Sequence, residues 1–263
     1  MTIPRIPDYL VPLRYTGGKA SVLSSLHEHL PAHFDEFRDP FLGGGSYPLS
    51  VMWRFKHVKY WLNEGNPFVF NFWKNLHKHA PNMQKWVTDK KSEFYKDGFY
   101  QLFCWCRSNI RNSDPFEQGC IWYIMNRLSY NGMGESFTGT YHFNDGKILD
   151  LKYCGELMKS VDLTITNYDF STLLSSSTKK VFVFLDAPYE LGSKTYYGKL
   201  HRRFNHDVFS LVVKESRHKW MLTYNDIPEI RKRFAVGGFN LSPLPMKYKK
   251  DGKPVIELVI KNY

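Results

Sequence analysis

The chain has 263 residues and a mass of 31.0 kDa, room for one compact domain or for a core domain carrying a substantial insertion. Hydrophobic residues make up 43% and charged residues 23%, a balance that excludes a disordered or low-complexity protein. Lysine and arginine number 36 against 25 aspartate and glutamate, a net charge of +11, and 17% of residues are aromatic; basic plus aromatic suits a nucleic-acid partner without establishing one.

Short apolar strands alternate with amphipathic helices, with no repeats and no linker rich in Pro, Gly or Ser. This alternation predicts an α/β sheet protein. A first helix is expected over residues 19–30, stopped by Pro31. A strand over 37–40 then runs into Gly43-Gly44-Gly45, with Ser46 as the N-cap of the next helix. A second strand over 58–62 ends in Asn63-Glu64, and Pro67 suits the first turn of the helix that follows. Residues 70–130 read as helical and aromatic. Asn131-Gly132 and Gly139 mark turns, so 133–143 is expected to be a hairpin or an ordered loop. Strand patterns resume over 163–166, 181–185 and 221–224, with a helix over 206–215. A last hairpin is expected to pair 239–247 with 255–260 around Asp251-Gly252.

The layout is a doubly wound core of residues 1–70 and 150–263, interrupted by a mainly helical insertion over 71–149. Residues 190–263 hold 15 Lys and Arg against 7 Asp and Glu, whereas the insertion holds 10 against 7, so a phosphate-facing surface is expected on the carboxyl-terminal part of the core. No apolar run approaches the roughly 20 residues of a membrane helix. The N-terminal stretch lacks a signal-peptide apolar region, and a cytoplasmic, membrane-free life is expected. Cys104, Cys106, Cys120 and Cys154 fit neither a zinc spacing nor a disulfide framework and read as packing. The pairs His27/His29 and His77/His79 are two residues apart, do not share a helix face, and read as solvated.

Three segments carry chemistry. The run from Asp39 to Ser46 holds three glycines where a strand turns into a helix, so the backbone can approach a ligand and offer unpaired N–H groups. By itself the run is equally a plain tight loop. Glu64, at the tip of the second strand, suits a ribose, as acids do in dinucleotide folds; alone it is equally a solvated loop acid. The third segment is Asp186-Ala187-Pro188-Tyr189, delivered by the buried strand 181–185 to the sheet's carboxyl edge. A carboxylate and a main-chain carbonyl there can take both N–H bonds of an amine on a planar base, while the ring stacks on the base. That pull makes the nitrogen lone pair available for attack. The plain alternative is a strand end followed by a turn-forming proline.

Tyr15-Thr16-Gly17-Gly18-Lys19, Asp39-Pro40-Phe41-Leu42-Gly43-Gly44-Gly45 and Asp186-Ala187-Pro188-Tyr189 resemble, in that order, the motifs of DNA adenine-N6 methyltransferases of the Dam type. In that family the motifs read aromatic-x-G-G-K, P-F-x-G-G-G and D-P-P-Y. Residues 126–132, Asn-Arg-Leu-Ser-Tyr-Asn-Gly, are similar to its N-R-x-x-[FY]-N-G stretch, and 221–226 and 257–262 to its later core strands. The resemblance spans residues 13–262. Any one motif is weak, but the ordered set is specific.

The resemblance implies a Rossmann-like core that binds S-adenosylmethionine (SAM), and an insertion that recognises the target in double-stranded DNA. It implies no metal, and any restriction endonuclease partner is a separate chain. Carried over by position, Tyr15, Gly17, Gly18 and Lys19 line the methionine end, and Phe41, Gly43, Gly44 and Gly45 belong to the loop beneath it. Glu64 stands where the family usually has Asp, holding the ribose; Asp169 and Phe170 meet the adenine of the cofactor. Asp186 touches both cofactor and target amine, with Ala187 and Pro188 completing the turn, and Tyr189 stacks on a flipped target adenine. Arg127, Tyr130, Asn131 and Phe137 in the insertion, with Lys194, Arg202 and Arg203 in the basic stretch, are the expected DNA contacts.

Two departures stand out. Alanine at 187 keeps the carbonyl of the family's proline but not its stiffness, and an error of about 1 Å in such geometry costs on the order of 10²-fold. The loop after Asn131-Gly132 has no Lys or Arg before Lys147, so the family's guanine contact is absent, and Tyr130, Phe137 and Tyr141 either wedge or stack on DNA or pack the insertion, two readings of equal standing. The rival readings are a nucleic-acid-binding protein without turnover, resting on Ala187, and methylation of RNA adenine or of cytosine N4.

Overall fold

A computed structural model describes residues 6–175, 180–189, 204–247 and 254–263. Seven strands form one sheet: β1 (Glu36–Asp39), β2 (Lys59–Asn63), β3 (Asp162–Thr166), β4 (Val181–Leu185), β5 (Lys219–Asn225), β6 (Asn240–Lys247) and β7 (Pro254–Lys261). Their order is β3-β2-β1-β4-β5-β7-β6, parallel through β5, with β7 antiparallel to both β5 and β6. A parallel sheet covered on both faces needs strands apolar on both faces, and all five residues of β4 are buried. The order reverses between β1 and β4, the position where doubly wound sheets open a crevice. This is the mixed α/β architecture expected.

The described α-helices are α1 (Leu23–Glu28), α2 (Ser46–Arg54), α3 (Pro67–Glu93), α4 (Phe99–Asn109), α5 (Pro115–Leu128), α6 (Asp145–Lys159), α7 (Phe170–Ser175), α8 (His206–Glu215) and α9 (Pro228–Phe234). The expected boundary at 70/71 falls inside α3 and that at 149/150 inside α6, because one apolar core runs from the sheet through α3, α5 and α6. Asn66 caps α3 by accepting from Phe68 N–H at 3.0 Å, and Pro67 takes the first turn. Pro81 inside α3 removes one backbone donor, and the helix breaks step at His79, whose φ is −134°.

Several expectations need correction. Residues 19–30 are not one helix: a 3₁₀ turn over Lys19–Ser21 precedes α1, because the Lys19 N–H bonds Ser46 Oγ at 3.2 Å and the Lys19 side chain turns inward. Ser46 is therefore the first residue of α2, and its cap is Gly45, in the left-handed region at φ 72°. The segment 133–143 is the ordered-loop alternative, with a single bridge between Ser129 and Phe137. The terminal strands pair as expected over β6 and β7, while Asp251-Gly252 lies outside the described residues.

His27 is buried rather than solvated, with Nε2 2.9 Å from Ser50 Oγ. The Ser50 hydroxyl donates to Tyr47 O, so Nε2 is the donor to it. Burial, reinforced by the charge of Arg54, lowers the imidazole to about 4. A histidine depressed in the folded state contributes stability present above its ordinary value of 6.5 and lost as pH falls toward 4, about 3 kcal/mol in all. We expect the difference in unfolding free energy between wild type and His27→Gln to narrow by about 2 kcal/mol from pH 7 to 4.5 in denaturant titrations. A constant difference contradicts the burial of a neutral ring.

Candidate active site

The last residues of β1, β2 and β4 arrive at one sheet edge, around a cavity of about 300 Å³. It is lined by Tyr15, Gly17, Gly18 and Lys19, by Phe41 and the turn Gly43–Gly45, by Glu64, Asp169 and Phe170, and by Asp186, Ala187, Pro188 and Tyr189. The structure thus gathers into one cavity residues spread over most of the chain. The turn itself is held from α3, where Trp73 Nε1 donates to Gly43 O at 2.9 Å. A Cβ at Gly45 would lie 2.8 Å from the Trp73 ring, so that position admits no side chain without displacing the indole.

Asp186 follows β4 directly and is fixed from two sides. Lys19 Nζ donates to Oδ1 at 2.6 Å and to Oδ2 at 2.7 Å, and Thr223 Oγ1 on β5 donates to Oδ1 at 2.7 Å. Lys19 is 2% exposed; its Nζ also donates to Gly17 O at 2.8 Å and lies 3.8 Å from Glu257, a buried acid on β7. Burying a lysine costs its contact with water, and here two carboxylates and a carbonyl stand in for that water. Tyr189 OH donates to Glu257 at 2.6 Å, and its ring stacks on Tyr224 with centroids 5.5 Å apart at 27°. Tyr224 OH in turn donates to Pro188 O at 3.3 Å and meets His206 Nδ1. Tyr189 is therefore a packed ring at the cavity wall rather than one standing open, with Lys19 Nζ 5.3 Å from its centroid. Ala187 is buried in the same apolar group as Leu185, Tyr189 and Tyr224, so packing holds the position that lacks proline.

The acids on the β1 and β2 side are also tied to backbone. Glu64 accepts from Gly43 N–H and Asn66 N–H, each at 2.8 Å; burial raises its carboxyl, and the N–H groups of Asn66, Gly43 and Gly65 pull the other way. Asp39 accepts from Phe41 N–H at 2.9 Å, and burial holds it well above the usual carboxylate range, with Asp186 and Glu64 adding to the rise. Asp169 Oδ1 accepts from Ser171 N–H at 3.0 Å at the start of α7, and Phe170 stacks on Phe41 with centroids 5.6 Å apart.

Sequence reasoning missed Asp39, Asn63, Trp73, Thr223 and Glu257. Asn63 accepts from Tyr168 N–H at 2.7 Å and donates to Pro40 O at 3.2 Å, lacing the ends of β1 and β3 together. Glu257 left a readable signal: a charge within the apolar run 255–260, on a strand whose neighbours Leu258 to Ile260 are buried.

Two of the expected DNA contacts need correction. Arg127 is 4% exposed, and its guanidinium donates to His142 O at 2.7 Å and Pro12 O at 3.1 Å; it braces the insertion from within. Phe137 packs on Tyr100 and Phe103 of α4, with centroids at 5.5 and 5.8 Å. Tyr130 stays half exposed beside Asn131, whose φ is 50°. Lys194, Arg202 and Arg203 lie outside the described residues.

Residues 15–243 match the family described as the D12 class of N6 adenine-specific DNA methyltransferases, most of the chain and every cavity segment. The chain belongs to this family. Among its relatives, the type II methyltransferase M.MjaIII of Methanocaldococcus jannaschii is 24% identical over 290 residues, covering 95% of this chain and 98% of its own. The type II methyltransferase M.CviBI of Paramecium bursaria Chlorella virus NC1A is 22% identical, with the same coverage of 95% and 98%. A DNA adenine methylase of Vibrio cholerae is 29% identical over 123 residues, 46% of this chain and 42% of its own. The methyltransferase acts on adenine in DNA and uses a methyl donor of the SAM type. Among the described residues no helix of the methyltransferase is long and apolar enough to cross a membrane.

Proposed function

We propose that the methyltransferase binds SAM itself in this cavity and moves its methyl to N6 of an adenine flipped out of the duplex. The observation that carries this reading is the shared cavity: Asp186, the glycine turn and Glu64, which is bonded to that turn, all line the same space. The donor set suits such a ligand. Glu64 offers carboxylate lone pairs to ribose hydroxyls, the Phe41 and Phe170 rings offer an apolar wall for the adenine, and Asp186 brings negative charge toward a cationic ligand. Once bound, SAM supplies a methyl group on a positively charged sulfur.

The protein's own part is to hold the target amine. Asp186 and the main-chain carbonyl at Ala187 accept its two N–H bonds, which turns the nitrogen lone pair toward the methyl donor. Lys19 and Thr223 keep the Asp186 carboxylate from rotating, which preserves the alignment on which most of the rate depends. A base stacked on Tyr189 shares that ring with Lys19, while Tyr224 and Glu257 hold the ring's plane. Flipping the adenine costs a few kcal/mol, offset by stacking and by the bonds to its amine.

Binding of SAM or its demethylated product by calorimetry tests the cofactor half of this reading. Glu64→Gln keeps an acceptor for Gly43 N–H and removes the charge, and we expect about tenfold weaker binding. Because Asp39 and Glu64 are both shifted upward and a cationic ligand favours their ionised forms, binding should release protons and strengthen as pH rises through their range. Equal affinity in Glu64→Gln with no proton release places the cofactor elsewhere.

A further inference from the structure

The segment from Pro12 to Lys19 supplies the cavity lining from Tyr15 to Lys19, yet the insertion holds its front end. Asn126, fully buried near the end of α5, accepts from Arg14 N–H at 3.0 Å and donates to Arg14 O at 2.7 Å, a two-way bond of the kind one strand makes to another. The same side chain donates to Gly132 O at 2.8 Å, at the root of the loop that follows α5. Around it, Arg14 Nη1 donates to Ser129 O at 3.0 Å, Arg127 to Pro12 O at 3.1 Å, and Thr16 Oγ1 reaches Met133 Sδ at 3.5 Å. Gly132 packs so closely here that a Cβ would lie 2.2 Å from Arg14 O.

The segment's other end is fixed in the cavity. The Tyr15 side chain lies on the glycine turn, close enough that a Cβ at Gly44 would come within 2.6 Å of its Cβ. Lys19 is bonded to Asp186 and, through its N–H, to Ser46. Between these anchors the segment is irregular apart from the single 3₁₀ turn at Lys19, so little in its own backbone would hold it. Its position is the sum of the two sets of bonds.

We propose that Asn126 is a positioning residue for the cofactor cavity, acting from the insertion through Arg14 to set Tyr15. The loop 129–134 and the Tyr15 wall of the cavity then form one mechanical unit. Whatever orders the loop orders the cavity wall, and a ligand in the cavity braces the loop in return. This rests on the reading that the cavity takes SAM.

The test uses the full chain and S-adenosylhomocysteine, the methyl-free product, titrated without DNA so that any effect comes through the protein alone. Wild type is expected to bind. Asn126→Ala is expected to bind about tenfold more weakly, a coupling of ordinary size, at temperatures well below its unfolding midpoint. Arg14→Ala disturbs no fully buried side chain and loosens only the Ser129 bond, so it remains informative if Asn126→Ala does not fold; about threefold weaker binding is expected. Ser129→Ala removes the hydroxyl that accepts from Gly134 N–H at 2.7 Å and so loosens the loop itself, and it should likewise weaken binding of the product, by less than Asn126→Ala. If wild type binds and both Asn126→Ala and Arg14→Ala bind equally well, the coupling is absent and Asn126 only shapes the loop. If wild type does not bind, it is the cofactor reading that fails.

Discussion

Asp186→Ala is expected to lower the single-turnover rate of methyl transfer by about 10³- to 10⁴-fold while the unfolding midpoint moves little. The large effect follows from position: the carboxylate stands directly after β4 at the cavity, held by Lys19 and Thr223, and takes the amine protons in the proposed reaction. The small effect on stability follows from what is left behind. Lys19 keeps Gly17 O at 2.8 Å and Glu257 at 3.8 Å, so its buried charge is not orphaned. Asp186→Asn is the sharper variant, since it keeps the volume and an acceptor for Thr223 but presents an amide to Lys19. It should be nearly as inactive. Substantial transfer by either variant contradicts the assignment of Asp186.

Lys19→Met is the second large effect, and its signature differs. The substitution leaves Asp186 with Thr223 alone and strips Glu257 of the ammonium beside it, so two acids that shared a cation lose it together. Breaking a buried pair from one side typically costs about 3–5 kcal/mol, and a visible drop in the unfolding midpoint is expected here. Methyl transfer should fall about 10²- to 10³-fold, because Asp186 is freed to rotate. Binding of a cationic donor should hardly weaken, since the cavity becomes more negative. The result is a loss in kcat with KM for the donor nearly unchanged. A loss confined to KM contradicts the role given to Lys19 in fixing Asp186.

Much of this is legible in the sequence. The alternation of apolar runs and turns places all seven strands within two residues of where they lie, because a strand buried on both faces, such as Val181–Leu185, admits little but apolar side chains. The cavity was legible for a different reason. Residues at strand tips are exempt from the packing rules that shape the interior, so the glycine run, Glu64 and Asp186 stand out against their neighbours. What stayed hidden is what tertiary contact decides. Nothing local marks His27 as buried, and nothing local turns Lys19 inward and so ends the expected helix before it starts. Arg127 reads as a DNA contact from its place in the sequence, yet two carbonyls 115 and 15 residues away in sequence take its donors. Pairings of that range are set by the fold and leave no periodicity to read.

The central claim is that this cavity transfers a methyl group to adenine N6 in DNA. The most direct test incubates the purified methyltransferase with SAM carrying a labelled methyl and unmethylated genomic DNA, then digests the DNA to nucleosides and identifies the labelled one. Label is expected in N6-methyldeoxyadenosine, and is lost in Asp186→Ala. Label in N4-methyldeoxycytidine, or none in a protein that binds SAM, would contradict that claim.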